Sequence, residues 1–401
     1  MKVMDGVRVI DASQWVMGPS AAVILADWGA DVIRIEHPTA GEPLRGTLPS
    51  MGYDTTFDFY IEQNNHSKRS LGLDLSSPGG KDVFLKLIAQ SDVLVTSFLE
   101  PARRKWGITY EDLRGVNPGL IYARTHGQGP EGPDAYAPGY DATSYWARSS
   151  VGFMATPENG RARPMPAGGF GDVQGGMALA GGIAAALFRR SRTGEGGLVD
   201  VSLLGIGLWD MYEVIQVADV YGIDPKRDFK PGVIPINPLS AVYQTADDRD
   251  IALCMVQPDP FWPGFCRAIR CPELIDDARY NSFRARAANY DELASIIRQH
   301  FLAYPVADLC RRLSEEGCAF APFQTPAEVA RDPQVKANGY LAAHPTAADR
   351  FIVSSPVQFD GRPLEVEAAA PLAGQHTEEV LLELGFSWED ITALKDQGAI
   401  N

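Results

Sequence analysis

Asp172 stands in the glycine-dense run Gly168-Gly169-Phe170-Gly171-Asp172-Val173-Gln174-Gly175-Gly176, just ahead of a long apolar stretch that reads as a helix. Glycines let a ligand or another backbone segment come close. A helix start adds free N–H groups and a positive dipole end, which favour an ionised carboxylate. A charged, approachable aspartate can act as a nucleophile. The same residue in the same place also serves as an ordinary helix cap. The local sequence leaves both readings open.

Other chemistry-bearing residues are fewer. Gly127-x-Gly129-x-x-Gly132 has the glycine spacing of a dinucleotide-binding turn, but Pro130, Pro133 and Pro138 break the helix that fingerprint needs. A loop folded over a ligand fits better. Arg34 lies in a strand, Lys68 and Arg69 precede another, and Arg103, Arg104 and Lys105 follow Phe98 in a loop. Such groups suit phosphates, and Phe98 or Trp106 offers a face to a base. Their alternative is a solvated basic turn. None of the six histidines, His126 among them, has a Cys, Asp or Glu at metal-ligand spacing, so no metal is expected. No Gly-x-Ser-x-Gly elbow points to a serine hydrolase.

Positioning these groups falls to alternating elements. Val7 to Ile10 reads as a strand, a helix starts at Gly18-Pro19 and stops at Gly29, and Asp31 to Glu36 is the next strand. Ser70 to Leu75, Asp92 to Thr96 and Gly119 to Ala123 repeat the pattern, with a helix over 78–90 and another from Gly176 to Arg190. The alternation predicts an α/β fold with a doubly wound parallel sheet, whose ligands bind beyond the carboxyl ends of the strands. Residues 1–220 form the expected large domain and 221–238, rich in Pro, Asp and Lys, a linker. A smaller α+β domain spans 239–325 and a C-terminal segment 326–401.

Bulk properties narrow the partners. A chain of 401 residues with 45% hydrophobic and 22% charged content is a globular protein of more than one core. A net charge of −15 argues against nucleic acid or an anionic membrane. Five cysteines without a CxxC pair suit buried thiols in a reducing cytoplasm. No apolar run is long enough for a membrane span.

In order along the chain, Asp5-Gly6-Val7-Arg8-Val9-Ile10-Asp11, Gly18-Pro19, Asp27-Trp28-Gly29-Ala30-Asp31-Val32-Ile33-Arg34-Ile35-Glu36, Lys68-Arg69-Ser70-Leu71, Gly139-Tyr140-Asp141, Arg192-Thr193-Gly194-Glu195-Gly196 and Gly374-x-His376-Thr377 resemble the class III CoA-transferases. That family includes formyl-CoA transferase, carnitine CoA-transferase and 2-methylacyl-CoA racemase. The resemblance implies a Rossmann-like, CoA-binding large domain, rejoined by the C-terminal segment after the small one. It implies an interlocked homodimer too. Substrates would be an acyl-CoA and a carboxylic acid, with the CoA thioester arriving as substrate and no cofactor held permanently. The family's catalytic aspartate falls on Asp172, which would carry CoA as an aspartyl thioester.

By position, the resemblance places CoA contacts at Val16, Met17, His37, Leu73, Phe98, Lys105 and Tyr140, and Arg104 joins them as a basic neighbour. Val16, His37 and Ser97 differ in type from formyl-CoA transferase, and that enzyme's glycine run has no counterpart at residues 235–257. Transfer is favoured over racemisation because the racemase histidine falls on Tyr140. A phenol of pKa ~10 is a poor base at neutral pH. A CoA-binding protein without transfer activity is the remaining alternative. Trp15, Tyr140, Tyr145 and Trp146 are read as lining an apolar acyl pocket, against a plain core role.

Overall fold

Six short apolar runs line up edge to edge. In the computed structural model, which describes residues 2–53, 56–157, 160–228 and 236–401, they are β1 (Arg8–Ala12), β2 (Asp31–Glu36), β3 (Arg69–Gly72), β4 (Val93–Thr96), β5 (Ile121–His126) and β6 (Gly197–Ser202). They form one sheet in the order 3-2-1-4-5-6, and every neighbouring pair is parallel. The chain reverses its direction of travel across the sheet between β1 and β4. A crevice therefore opens beyond their carboxyl ends.

Side chains alternate across this sheet with period two. Val9, Val32, Val93, Val95, Ile121 and Ala123 point into one apolar layer. There they meet Ala21 and Leu25 of α1 (Met17–Asp27). Ile10, Ile33, Leu71, Leu94 and Tyr122 face the other way, onto Phe84 and Leu87 of α2 (Pro78–Ala89). The C-terminal helices Thr377–Glu383 and Trp388–Asp396 complete that second layer with Val380, Leu381, Ile391 and Leu394. Both faces are buried, which is why these strands read as continuous hydrophobic runs.

Two further helices frame the crevice: α3 (Glu100–Trp106) and α4 (Phe170–Thr193). The run read as a loop at 97–105 is mostly α3, so Arg104 and Lys105 sit on a helix. Likewise α4 starts six residues before the expected Gly176, which takes Asp172 into its first turn. Each glycine costs a helix about 1 kcal/mol relative to alanine, and that penalty argued for a loop. Close packing overrides it. A methyl group on Gly175 would lie 2.6 Å from Met17 Cε, and one on Gly176 3.0 Å from the Ala21 backbone nitrogen. Only glycine lets α4 lie this near α1.

The chain divides into two compact units, Met1–Tyr212 with Pro333–Asn401, and Glu213–Asp332. The second has an antiparallel sheet of β7 (Val242–Gln244), β8 (Asp250–Leu253) and β9 (Phe320–Pro322). Trp262, Phe265, Ile297, Phe301 and Leu309 fill its core. Of the stretch read as a linker, Pro225–Asp228 is a helical turn counted with this unit, and residues 229–235 lie outside the described residues. The cysteines are not all buried as expected: Cys266 and Cys271 are, but Cys254 is exposed. Among the described residues, no helix is long and apolar enough to cross a membrane.

Candidate active site

A cavity of about 390 Å³ opens at the switch point of the sheet. Gln14, Trp15 and Met17 come from the end of β1 and the start of α1, and Ser97, Phe98 and Leu99 follow β4. Thr125, His126 and Gly127 close β5, and Gly139, Tyr140 and Asp141 return from the loop after it. Asp172 enters from the first turn of α4. The loop folds back so tightly that a side chain on Gly127 would strike the Gly139 backbone. The volume lies in the range of small-ligand sites.

The capping role belongs to Asp141, not to Asp172. Asp141 is buried, and its Oδ1 accepts the Gly171 backbone N–H at 3.0 Å. Burial pushes its pKa above the ordinary value, against the N–H groups of Gly171, Phe170, Gly169 and Asp172, which pull it down. Its Oδ2 has no hydrogen-bond partner among the described residues. The backbone N–H groups of residues 169–172 are thus turned toward Asp141.

Asp172 therefore lacks the stabilisation that its helix position suggested. Burial, and then the charge of Asp141, push its carboxyl up to about 7. The sequence pointed to a carboxylate held ionised; the structure gives one poised to gain or lose its proton near neutrality. Such pairs of unlike carboxyl groups are typical of reactive sites. Asp141→Asn keeps an acceptor for Gly171 but removes the repulsion. The Asp172 titration should then move to lower pH, as read by carboxyl-carbon NMR. A midpoint that stays put would show that Asp141 carries no charge there.

Beneath the cavity floor lies a ring of buried charge. Arg34 donates to Asp11 at 2.8 Å and pairs with Glu42, and Lys68 donates to Asp11 at 2.8 Å and to the Pro19 carbonyl at 2.9 Å. Burial lowers the Lys68 pKa to about 8, although Asp11 opposes it. Next to Lys68, at the start of β3, Arg69 bonds Asp31, Glu379 and Glu383. Arg34 and Lys68 are consequently engaged with buried carboxylates and Arg69 with Asp31, Glu379 and Glu383 nearer the surface, rather than standing free for a ligand's phosphates as their spacing had suggested. Arg34 helps fix the cavity wall through Glu42. Glu42 Oε1 accepts the Trp15 N–H at 2.8 Å, holding Trp15 at φ 66°, a left-handed conformation that is strained for tryptophan.

Of the residues read from sequence as contacts, Met17, Phe98, Tyr140 and Asp172 share the cavity. Tyr140 packs edge-on to Trp15, and Phe98 edge-on to Trp106. Val16 is half-buried beneath Gly169. Exposed His37 accepts the N–H groups of Thr39 and Ala40 with Nδ1. Leu73 is buried in the core and leaves only its backbone, which pairs with Glu36 and Ile400. Arg104, 71% exposed, pairs with Glu100, and Lys105 is exposed on the same helix. Of the four aromatics offered for an acyl pocket, Trp15 and Tyr140 line the cavity, whereas Tyr145 and Trp146 pack in a small core with Leu203. Among the described residues there is no cluster that would hold a metal ion.

Sequence reasoning passed over His126. Its partner Asp200 lies 74 residues away on β6, so no local spacing shows the pair. The available signal was its place at the carboxyl end of a central strand.

A six-stranded parallel sheet with two unlike carboxyl groups in its switch-point cavity defines an α/β enzyme that handles a small ligand. Residues 4–377 match CoA-transferase family III, and the chain belongs to that family. It is a class III CoA-transferase, and enzymes of this class take CoA thioesters as substrates. It is similar to the cinnamoyl-CoA:phenyllactate CoA-transferase of Clostridium sporogenes, 34% identical over 98% of this chain and 96% of the relative. It is similar also to the (R)-2-hydroxy-4-methylpentanoate CoA-transferase of Clostridioides difficile, 31% identical over 99% of both chains. A CAIB/BAIF family protein from Brucella suis has a solved structure that superposes with a TM-score of 0.80. It is 26% identical, and the match covers 95% of this chain and 99% of that one.

Proposed function

We propose that this enzyme transfers CoA through a covalent aspartyl-CoA thioester on Asp172. The Asp172 carboxylate attacks the thioester carbon of the donor, the C–S bond breaks, and CoA leaves as thiolate from a mixed anhydride. The thiolate then attacks the aspartyl carbonyl and expels the donor acid. An acceptor carboxylate attacks the aspartyl thioester, and the released thiolate takes the new acyl group, which restores Asp172. Two moderate displacements replace one difficult exchange. The observation that carries this reading is a carboxyl of pKa about 7, in a cavity, with no capping duty. CoA itself would lie along Met17, Phe98 and Tyr140 toward Arg104 and Lys105, with Val16, the His37 turn and the Leu73 backbone as outer contacts.

The acyl groups we assign to it carry apolar branched or aromatic tails. Trp15, Phe98, Leu99 and Tyr140 give the cavity such walls, and the relatives named above act on 2-hydroxy-4-methylpentanoate and phenyllactate. Assembly as a homodimer fits the many exposed apolar side chains, with Trp209 79%, Tyr221 72% and Phe188 66% exposed. Sedimentation as a monomer at micromolar concentration would exclude it.

Incubation with a donor acyl-CoA and mass spectrometry of the digest tests the mechanism. A CoA adduct on the Asp172 peptide, removed by hydroxylamine, is expected. Deuterium entering the α-carbon from solvent with no adduct would instead indicate racemisation.

A further inference from the structure

Among the described residues, His126 is the one lining residue of the cavity that can carry positive charge; the charged groups that join it there, Asp141 and Asp172, are both acidic. An acid substrate must nevertheless bring its carboxylate into this space. Some group has to receive it.

The sheet builds His126 for that task. Arg124 and His126 lie two residues apart on β5 and so share a face, and Asp200 on β6 is the register partner of Arg124. Arg124 donates to Asp200 through Nε at 2.6 Å and Nη2 at 2.8 Å, and His126 Nε2 lies 2.8 Å from Asp200 Oδ1. Against burial, which pushes it up, the His126 hydrogen bond and Arg124 hold the Asp200 carboxyl far below its ordinary range. Asp200 therefore stays an acceptor and fixes the ring with Nε2–H turned toward it. Among the described residues the side-chain hydrogen bond of His126 runs through Nε2, and Nδ1 makes none. The ring can then offer Nδ1–H to an arriving carboxylate while Nε2–H stays on Asp200.

We infer that His126 docks the carboxylate of the free acid, donor product or acceptor, opposite Asp172, with Asp200 and Arg124 positioning its ring. The inference rests on the aspartyl-CoA reading, because only that reading requires a free acid to sit in the cavity while CoA is held by Asp172.

Two quantities separate the steps: the rate of CoA adduct formation with donor acyl-CoA alone, and the KM for the acceptor acid in full exchange. In His126→Gln the acid KM is expected to rise about tenfold or more, the loss of a charge-assisted hydrogen bond, while adduct formation changes by less than about threefold. His126→Lys restores a cation and should recover most of the acid KM. An unchanged acid KM in His126→Gln overturns the inference. So does an equal fall in both quantities, which would mark a merely structural role. If the unaltered enzyme forms no adduct, the aspartyl reading fails, and the acid KM comparison still decides the part played by His126.

Discussion

Replacing Asp172 by alanine is expected to lower CoA exchange by about 10⁴-fold or more, the scale of losing a covalent nucleophile. Asp141, the other carboxylate lining the cavity among the described residues, does not substitute. Asp141 is buried behind the first turn of α4 and bound to Gly171. CoA affinity should change by less than about threefold, since Met17, Phe98, Arg104 and Lys105 are untouched. The glycine faces that seat α4 on α1 and Gly171 against the Tyr145 ring are likewise unaltered, so the fold should survive. Asp172→Glu is a finer probe: its extra methylene misplaces the carboxylate by about 1 Å, which costs on the order of a hundredfold. Initial rates with a donor acyl-CoA and a branched or aromatic acid, beside calorimetric CoA binding, give both numbers. Exchange at an undiminished rate in the alanine variant would end the covalent proposal.

Much of the sheet was legible in the sequence because its strands are buried on both faces, and a run such as Val93-Leu94-Val95 has few other uses. Helix boundaries near the site were less so. The sequence around Gly168–Gly176 looked like a loop because glycine is a poor helix former, and only the approach of α1 shows why glycine is required there. Charged residues misled in the same way. Arg34 and Lys68 looked available to a ligand, yet Asp11 and Glu42, distant in sequence, take them inside. His126 was missed for the converse reason, its partner being on the next strand. Pairing across long intervals is what a single sequence hides.

Asp172→Asn should make the protein more stable as well as inactive. Folding raises the Asp172 carboxyl from an ordinary pKa of ~3.9 to about 7. Between those values the folded state holds a proton that the unfolded chain has lost, so stability falls as pH rises. The loss begins near pH 4, is complete just above 7, and vanishes when the group cannot ionise. At pH 8 the asparagine variant is therefore expected to exceed the parent by about 2–4 kcal/mol, an advantage that shrinks toward pH 5. Urea unfolding at both pH values measures it. The same proton sets the rate: exchange by the unaltered enzyme should rise with pH through about 7 as the carboxylate appears. Equal stabilities at pH 8 would mean that Asp172 ionises without strain, and the rate should then be flat across neutrality. A carboxylate expensive to ionise in the empty site is a stronger nucleophile once formed, because burial limits its hydration and no capping amide binds it. The structure thus trades stability for reactivity at this one side chain.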